Sequence, residues 1–299
     1  MENLFMKIKE GFITFKNHKT YYRTVGECDG KKKPLILLHG GPGSTHNYFE
    51  VLDDQAEKDH RMLVMYDQIG CGASYLEGHP EYWNSEVWIE ELITLRKELN
   101  LKEAHILGQS WGGIMALLYA LDYAPEGICS YILASTLPSA KLWESEQYKR
   151  IALMEQRYQD AIAEAVRSGN YEEPVYLEAV DLFMDTYCNA PITADSPECL
   201  TRPKKSGSES YITGWGPNEF TPTGTLSGFE VTDRLHEIKT PCLITSGSSD
   251  LCSPLIAKTM QERIAGSQWE LFENCRHMSF VEEHDKYVKL LIKWLNAND

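Results

Sequence analysis

Apolar and polar positions alternate in two different rhythms along this chain. Residues 11–15 and 19–25 read as an opening pair of strands, and 26–33, with two Gly and three Lys, as the turn that follows. Four later runs, 34–38, 62–66, 104–107 and 128–133, are almost continuously apolar, as expected of strands covered by helices on both faces. Helical patterns over 87–99 and 111–123 fill the gaps between them. This alternation predicts an α/β fold with a mostly parallel, doubly wound sheet. From about 138 to 228 the rhythm changes. No strand-like run appears there, and long polar-helical stretches (144–168 and 176–187) are separated by Pro-, Ser- and Gly-rich segments. After 228 the first rhythm returns, with a strand at 241–245, a helix at 254–264, a strand at 269–272 and a helix at 281–295. The expected organisation is a core of 1–137 and 229–299, with a helical cap at 138–228 inserted after the sixth strand.

Composition narrows the class. The 299 residues are 42% hydrophobic and 24% charged, those of an ordinary globular protein. A net charge of −15 argues against nucleic acid as a partner, because phosphate backbones are bound by clustered Lys and Arg. The short basic run within 202–208 reads as a solvated loop. No apolar run is long enough to span a bilayer, so no membrane partner is expected. The first seven residues lack the basic-then-apolar pattern of a secretion signal. Eight scattered cysteines, without C-x-x-C pairs or metal-ligand spacing, imply free thiols in a cytoplasmic protein and no metal site. No cofactor motif is present either.

The chemistry concentrates at Gly108-Gln109-Ser110-Trp111-Gly112, a G-x-S-x-G pattern between an apolar strand and a breaker-free Ala- and Leu-rich helix. In that setting the turn holds the Ser110 hydroxyl exposed at the top of the sheet. A Cβ at either flanking glycine would collide with the neighbouring strand or helix.

A serine hydroxyl needs a base, and the base needs an orienting acid. In this type of fold they follow in the order Ser, Asp or Glu, His. Asp250 lies just beyond the strand at 241–245, and His277 just beyond the strand at 269–272, at the carboxyl ends where open α/β sheets place their sites. Asp233, which precedes its strand, and His284, inside the last helix, are weaker choices. Acyl transfer also needs backbone N–H groups aimed at the developing oxyanion. The loop His39-Gly40-Gly41-Pro42-Gly43 follows its strand directly, so the expected donors are the N–H groups of Gly41 and Trp111.

The loop at 39–43, the 108–113 run and Asp67-Gln68-Ile69-Gly70-Cys71-Gly72-Ala73-Ser74 together resemble the proline iminopeptidases, α/β-hydrolase peptidases that remove N-terminal residues. Gly216-Pro217-Asn218-Glu219-Phe220 and Thr223-Gly224-Thr225-Leu226 resemble the cap motif of one branch, that of the tricorn-interacting aminopeptidase and the lactobacillal prolyl aminopeptidases. Related L-amino-acid amidases share much of the pattern. The resemblance implies an α/β-hydrolase fold and a substrate with a free amine, a short peptide or an amino-acid amide. It assigns Glu219 to the substrate ammonium, a role that suits a carboxylate in a partly desolvated cleft. In that branch a second acid follows the catalytic Asp; here Leu251 follows Asp250. Trp215, Phe220 and Trp143 are candidates for an apolar specificity pocket. The alternatives are an amidase, esterase or lactonase for a small metabolite, to which Leu251 lends weight, and a non-catalytic ligand receptor.

Overall fold

The computed structural model describes residues 7–27 and 30–299; Met1 to Met6, Cys28 and Asp29, with the parts of the expected start and turn they carry, lie outside the described residues. The eight expected strands form: β1 (Ile8–Phe15), β2 (His18–Val25), β3 (Leu35–Leu38), β4 (Leu63–Tyr66), β5 (Ala104–Gln109), β6 (Ile128–Ala134), β7 (Cys242–Gly247) and β8 (Gln268–Phe272). They make one sheet in the order β1-β2-β4-β3-β5-β6-β7-β8. β2 is antiparallel to both β1 and β4, and every other pairing is parallel.

The helices are α1 (Asp53–Asp59), α2 (Ser85–Glu98), α3 (Trp111–Leu118), α4 (Ala140–Ile151), α5 (Gln156–Ser168), α6 (Pro174–Tyr187), α7 (Glu198–Thr201), α8 (Ser208–Gly214), α9 (Pro254–Arg263), α10 (Ser279–Glu282) and α11 (His284–Ala297). Among the described residues no helix is long and apolar enough to cross a membrane. Side chains alternate across the central strands and build a core on each face. Ile36, Leu38, Val64 and Ile106 pack toward α2 and α3, whereas Leu35, Leu37, Met65 and Leu107 join Leu291 and Leu295 of α11. Five helices, α4 to α8, fall between β6 and β7.

Three helices differ from their sequence patterns. The stretch at 144–168 is two helices, α4 and α5. No Gly or Pro marks the break; instead the Gln159 side chain reaches back to the carbonyls of Ala152 (3.3 Å) and Met154 (2.8 Å). The helix expected over 111–123 ends as α3 at Leu118 and widens into a π turn over Tyr119–Tyr123. The helix expected over 281–295 is divided at Glu283 into α10 and α11.

The register brings the site together. Leu38 pairs with Gly108 and Gln109 with Ala134, so the loops after β3, β5 and β6 start side by side at the carboxyl edge of the sheet.

Candidate active site

Ser110 occupies the turn from β5 into α3 with φ 56° and ψ −121°, a conformation that L residues adopt only under constraint. Three hydrogen bonds impose it. Ser110 N–H donates to the Ala134 carbonyl (2.9 Å), and the Ser110 carbonyl accepts from Gly113 N–H (2.9 Å) and the Thr136 hydroxyl (2.7 Å). The turn closes only because its glycines lack side chains. A Cβ on Gly108 would stand 2.2 Å from the Gly112 carbonyl oxygen, and one on Gly112 only 2.0 Å from that of Leu38. Both clashes are backbone against side-chain root, with nothing flexible to yield. Gly112→Ala is therefore expected to destabilise the protein by more than the ~1–3 kcal/mol usual for overpacking. An unchanged melting temperature would show that the elbow is not packed as described.

Asp250 and His277 meet at the same edge. The Asp250 carboxylate is fully buried and accepts from His277 Nδ1 (2.6 Å), Gly247 N–H (3.1 Å) and Cys252 N–H (2.9 Å). Its loop is tied down from α4: Arg150 donates to the carbonyls of Asp250 and Leu251, and Gln147 to that of Leu251 (2.9 Å). Asp233 and His284 lie elsewhere, held by Arg263 (2.9 Å) and Asp54 (3.1 Å) respectively.

The loop after β3 is braced by buried polar groups. Tyr48 accepts from Gly40 N–H (2.6 Å) and donates to Gln109 Oε1 (2.8 Å), while Gln109 Nε2 donates to the His277 carbonyl (3.4 Å). His39 is wholly buried, and burial pushes its imidazole down to about 4, so the ring is neutral at neutral pH. Gln68 N–H donates to His39 Nε2 (3.0 Å), which leaves Nδ1 to carry the proton and donate to the Gly40 carbonyl (2.9 Å). The Gln68 side chain also donates to the His39 carbonyl (2.9 Å) and accepts from the Trp111 indole (2.8 Å). Among the described residues, the N–H groups of Gly41 and Trp111 find no acceptor. Both residues border a small recess beside Ser110.

A cavity of about 1030 Å³ opens over Ser110 and His277, with Gly41 and Glu219 on its wall. Glu219 also borders the recess, together with Ile114, Leu137, Trp143 and Trp215. The Trp143 indole donates to the Glu219 carbonyl (2.8 Å) and so does that of Trp215 (3.4 Å), fixing the backbone beneath the carboxylate. The Tyr211 hydroxyl donates to Glu219 Oε1 (2.7 Å). Burial raises the Glu219 carboxyl above the ordinary carboxylate range, and Tyr211 and His277 oppose that rise.

Phe220 stands apart from both cavities. Its ring packs against Phe183 (5.4 Å) and Tyr148 (6.4 Å) and borders neither cavity, while its N–H donates to Asn218 Oδ1 (3.0 Å). Leu251 likewise is fully buried and lies on neither wall.

The chain matches the family model described as alpha/beta hydrolase fold over residues 33–284. It is 65% identical to a proline iminopeptidase of Clostridioides difficile over 98% of this chain and 100% of that one. A proline iminopeptidase of Lactobacillus helveticus is 52% identical over the same shares. The chain belongs to the proline iminopeptidase family of α/β hydrolases. A solved proline iminopeptidase structure from Mycobacterium smegmatis superposes with a TM-score of 0.85 at 25% identity, covering 97% of this chain and 98% of that one.

Several supports of this proline iminopeptidase family site escaped the sequence reading. Tyr48, Gln109, Gln147 and Arg150 act through partners distant in the chain and Tyr211 through Glu219 eight residues on, and no local pattern marks them. Gln109 alone carried a signal, as the variable position inside the elbow motif. The described cysteines are unpaired, and burial pushes the thiols of Cys71 and Cys252 far up and that of Cys275 to about 11.

Proposed function

We propose that this chain is a serine peptidase that releases proline, or another small apolar residue, from the amino end of short peptides and amino-acid amides. The observation that carries this reading is the cavity over Ser110. Ser110, His277 and Glu219 border one cavity of about 1030 Å³, which leaves room for a short side chain and a positive amine beside the nucleophile. The names of the relatives, matched over nearly their full length, point the same way.

In this mechanism the substrate ammonium pairs with Glu219 and the first side chain lies against Trp143 and Trp215. Ser110 Oγ attacks the carbonyl carbon, and His277 Nε2 takes the hydroxyl proton. Asp250, bonded to Nδ1, holds the ring and stabilises the imidazolium. The N–H groups of Gly41 and Trp111 receive the oxyanion. Collapse breaks the C–N bond, and His277 returns the proton to the departing amine. Water, deprotonated by His277, then cleaves the acyl ester, frees the amino acid and restores the Ser110 hydroxyl. No step calls for a metal or cofactor. The helices between β6 and β7 serve as a cap that carries Glu219, and the unpaired cysteines suit the reducing cytoplasm.

Glu219→Gln tests the reading. Removing one member of a partly desolvated ion pair is expected to lower kcat/KM for prolyl p-nitroanilide by about 30- to 1000-fold, or ~2–4 kcal/mol. Hydrolysis of an uncharged ester should change far less. In the wild type, kcat/KM for free-amine substrates should decline as falling pH protonates Glu219, starting above the range of an ordinary carboxylate because burial raises this group. Equal cleavage of prolyl and N-acetylprolyl substrates by the wild type would rule the aminopeptidase out in favour of a small-metabolite amidase or esterase.

A further inference from the structure

The cavity over Ser110 is larger than one amino acid requires, and its charges are unevenly arranged. Glu219 borders both the recess and the main cavity, whereas Lys204, Arg276 and Asp185 border the main cavity only. Arg276 is already engaged. Its Nη1 pairs with Glu282 (2.7 Å) and its Nε donates to the Asp185 carbonyl (2.9 Å). Lys204 makes no hydrogen bond or ion pair to any described residue.

Its position is nevertheless fixed by the backbone on either side. Lys205 accepts through its carbonyl from Gly72 N–H (2.7 Å), and Gly207 N–H donates to the Gly43 carbonyl (2.8 Å). Lys204 therefore stands beside the loop that holds Gly41. The carboxylate with the largest influence on it, Asp67, is buried beneath and satisfied by His46 and by Ala73 N–H. Partial withdrawal from water pulls the ammonium below the ordinary lysine range, an unfavourable state that an incoming anion relieves.

A peptide cut after its first residue presents one anion beyond the scissile bond in every case, its own terminal carboxylate. Each further residue adds at most ~3.3–3.6 Å of reach, so only a short peptide places that carboxylate inside the cavity. We propose that Lys204 is a specificity-determining residue that receives the C-terminal carboxylate of di- and tripeptides, so that the cavity selects its substrates by both ends. This deepens the function proposed above and rests on it.

The test compares proline-headed di- and tripeptides with free C-termini against the same peptides amidated, using prolyl p-nitroanilide as a substrate without a carboxylate. The wild type should favour the free acid about fivefold in kcat/KM, the upper range for a solvent-reachable ion pair, and less so in high salt. Lys204→Gln should bring that ratio close to one, and Lys204→Glu should invert it. Lys204 is open to the cavity, so both variants should melt as the wild type does. A wild-type ratio near one overturns the assignment. So does a preference that persists in Lys204→Gln, or one that Arg276→Gln abolishes while Lys204→Gln keeps it. Failure to hydrolyse prolyl p-nitroanilide at all would instead strike the peptidase reading, independently of these ratios.

Discussion

Ser110→Ala should abolish turnover, lowering kcat by about 10⁴-fold or more on every substrate while leaving the protein folded. What rate survives comes only from substrate positioning and the oxyanion donors. The fold should tolerate the change because backbone bonds to Ala134 and Gly113, with the Thr136 hydroxyl, hold the elbow, and none involves Ser110 Oγ. Alanine carries the same Cβ into the same positive-φ conformation, so no new backbone strain enters. The measurement is a steady-state rate on highly purified variant alongside a thermal melt. Retention of even a tenth of the activity would remove Ser110 from the chemistry.

Asp250→Asn should come close to it, with a loss of about 10⁴-fold in kcat. Three N–H donors converge on the native carboxylate, from His277, Gly247 and Cys252. An asparagine offers one oxygen and an NH₂, so in either orientation its NH₂ opposes a donor. If it faces His277, the ring must accept at Nδ1 and carry its proton on Nε2, where it has no lone pair for the serine proton. If it faces Gly247, that N–H is left buried and unpaired, at about 1–3 kcal/mol of stability. The melting temperature distinguishes the two: a wrong tautomer lowers kcat and leaves the melting temperature unchanged, whereas an unpaired amide lowers it. Near wild-type kcat with unchanged stability would show that Asp250 does not orient His277.

The strands were legible because the central ones are buried on both faces, which leaves little room for polar residues. The elbow was legible because its geometry admits glycine alone at positions 108 and 112, and the order of Ser110, Asp250 and His277 follows from which strand ends lie at one edge. What escaped were features decided by distant partners. The stop between α4 and α5 is made by a side chain from the following helix. The strut from Tyr48 to Gln109 joins residues whose nearness depends on the register of β3 against β5. Phe220 shows a different limit. The sequence identifies an aromatic residue beside Glu219, but only its tertiary neighbours Phe183 and Tyr148 show where the ring packs.

The two indoles that pin the Glu219 carbonyl have a wider consequence, since the Trp143 ring also meets the edge of His277 at 6.0 Å. On the function proposed above, Glu219 as amine anchor and His277 as proton carrier share one rigid mounting, which works as a counter set to one residue. Each encounter shortens a peptide by a single step, and the remainder must let go and dock again with a new first residue. On that reading, trimming proceeds while each newly exposed residue fits beside Glu219 and Ser110, and halts at the first that does not. The end point of digestion is then written in the peptide's own order of residues, whatever the length of the incubation.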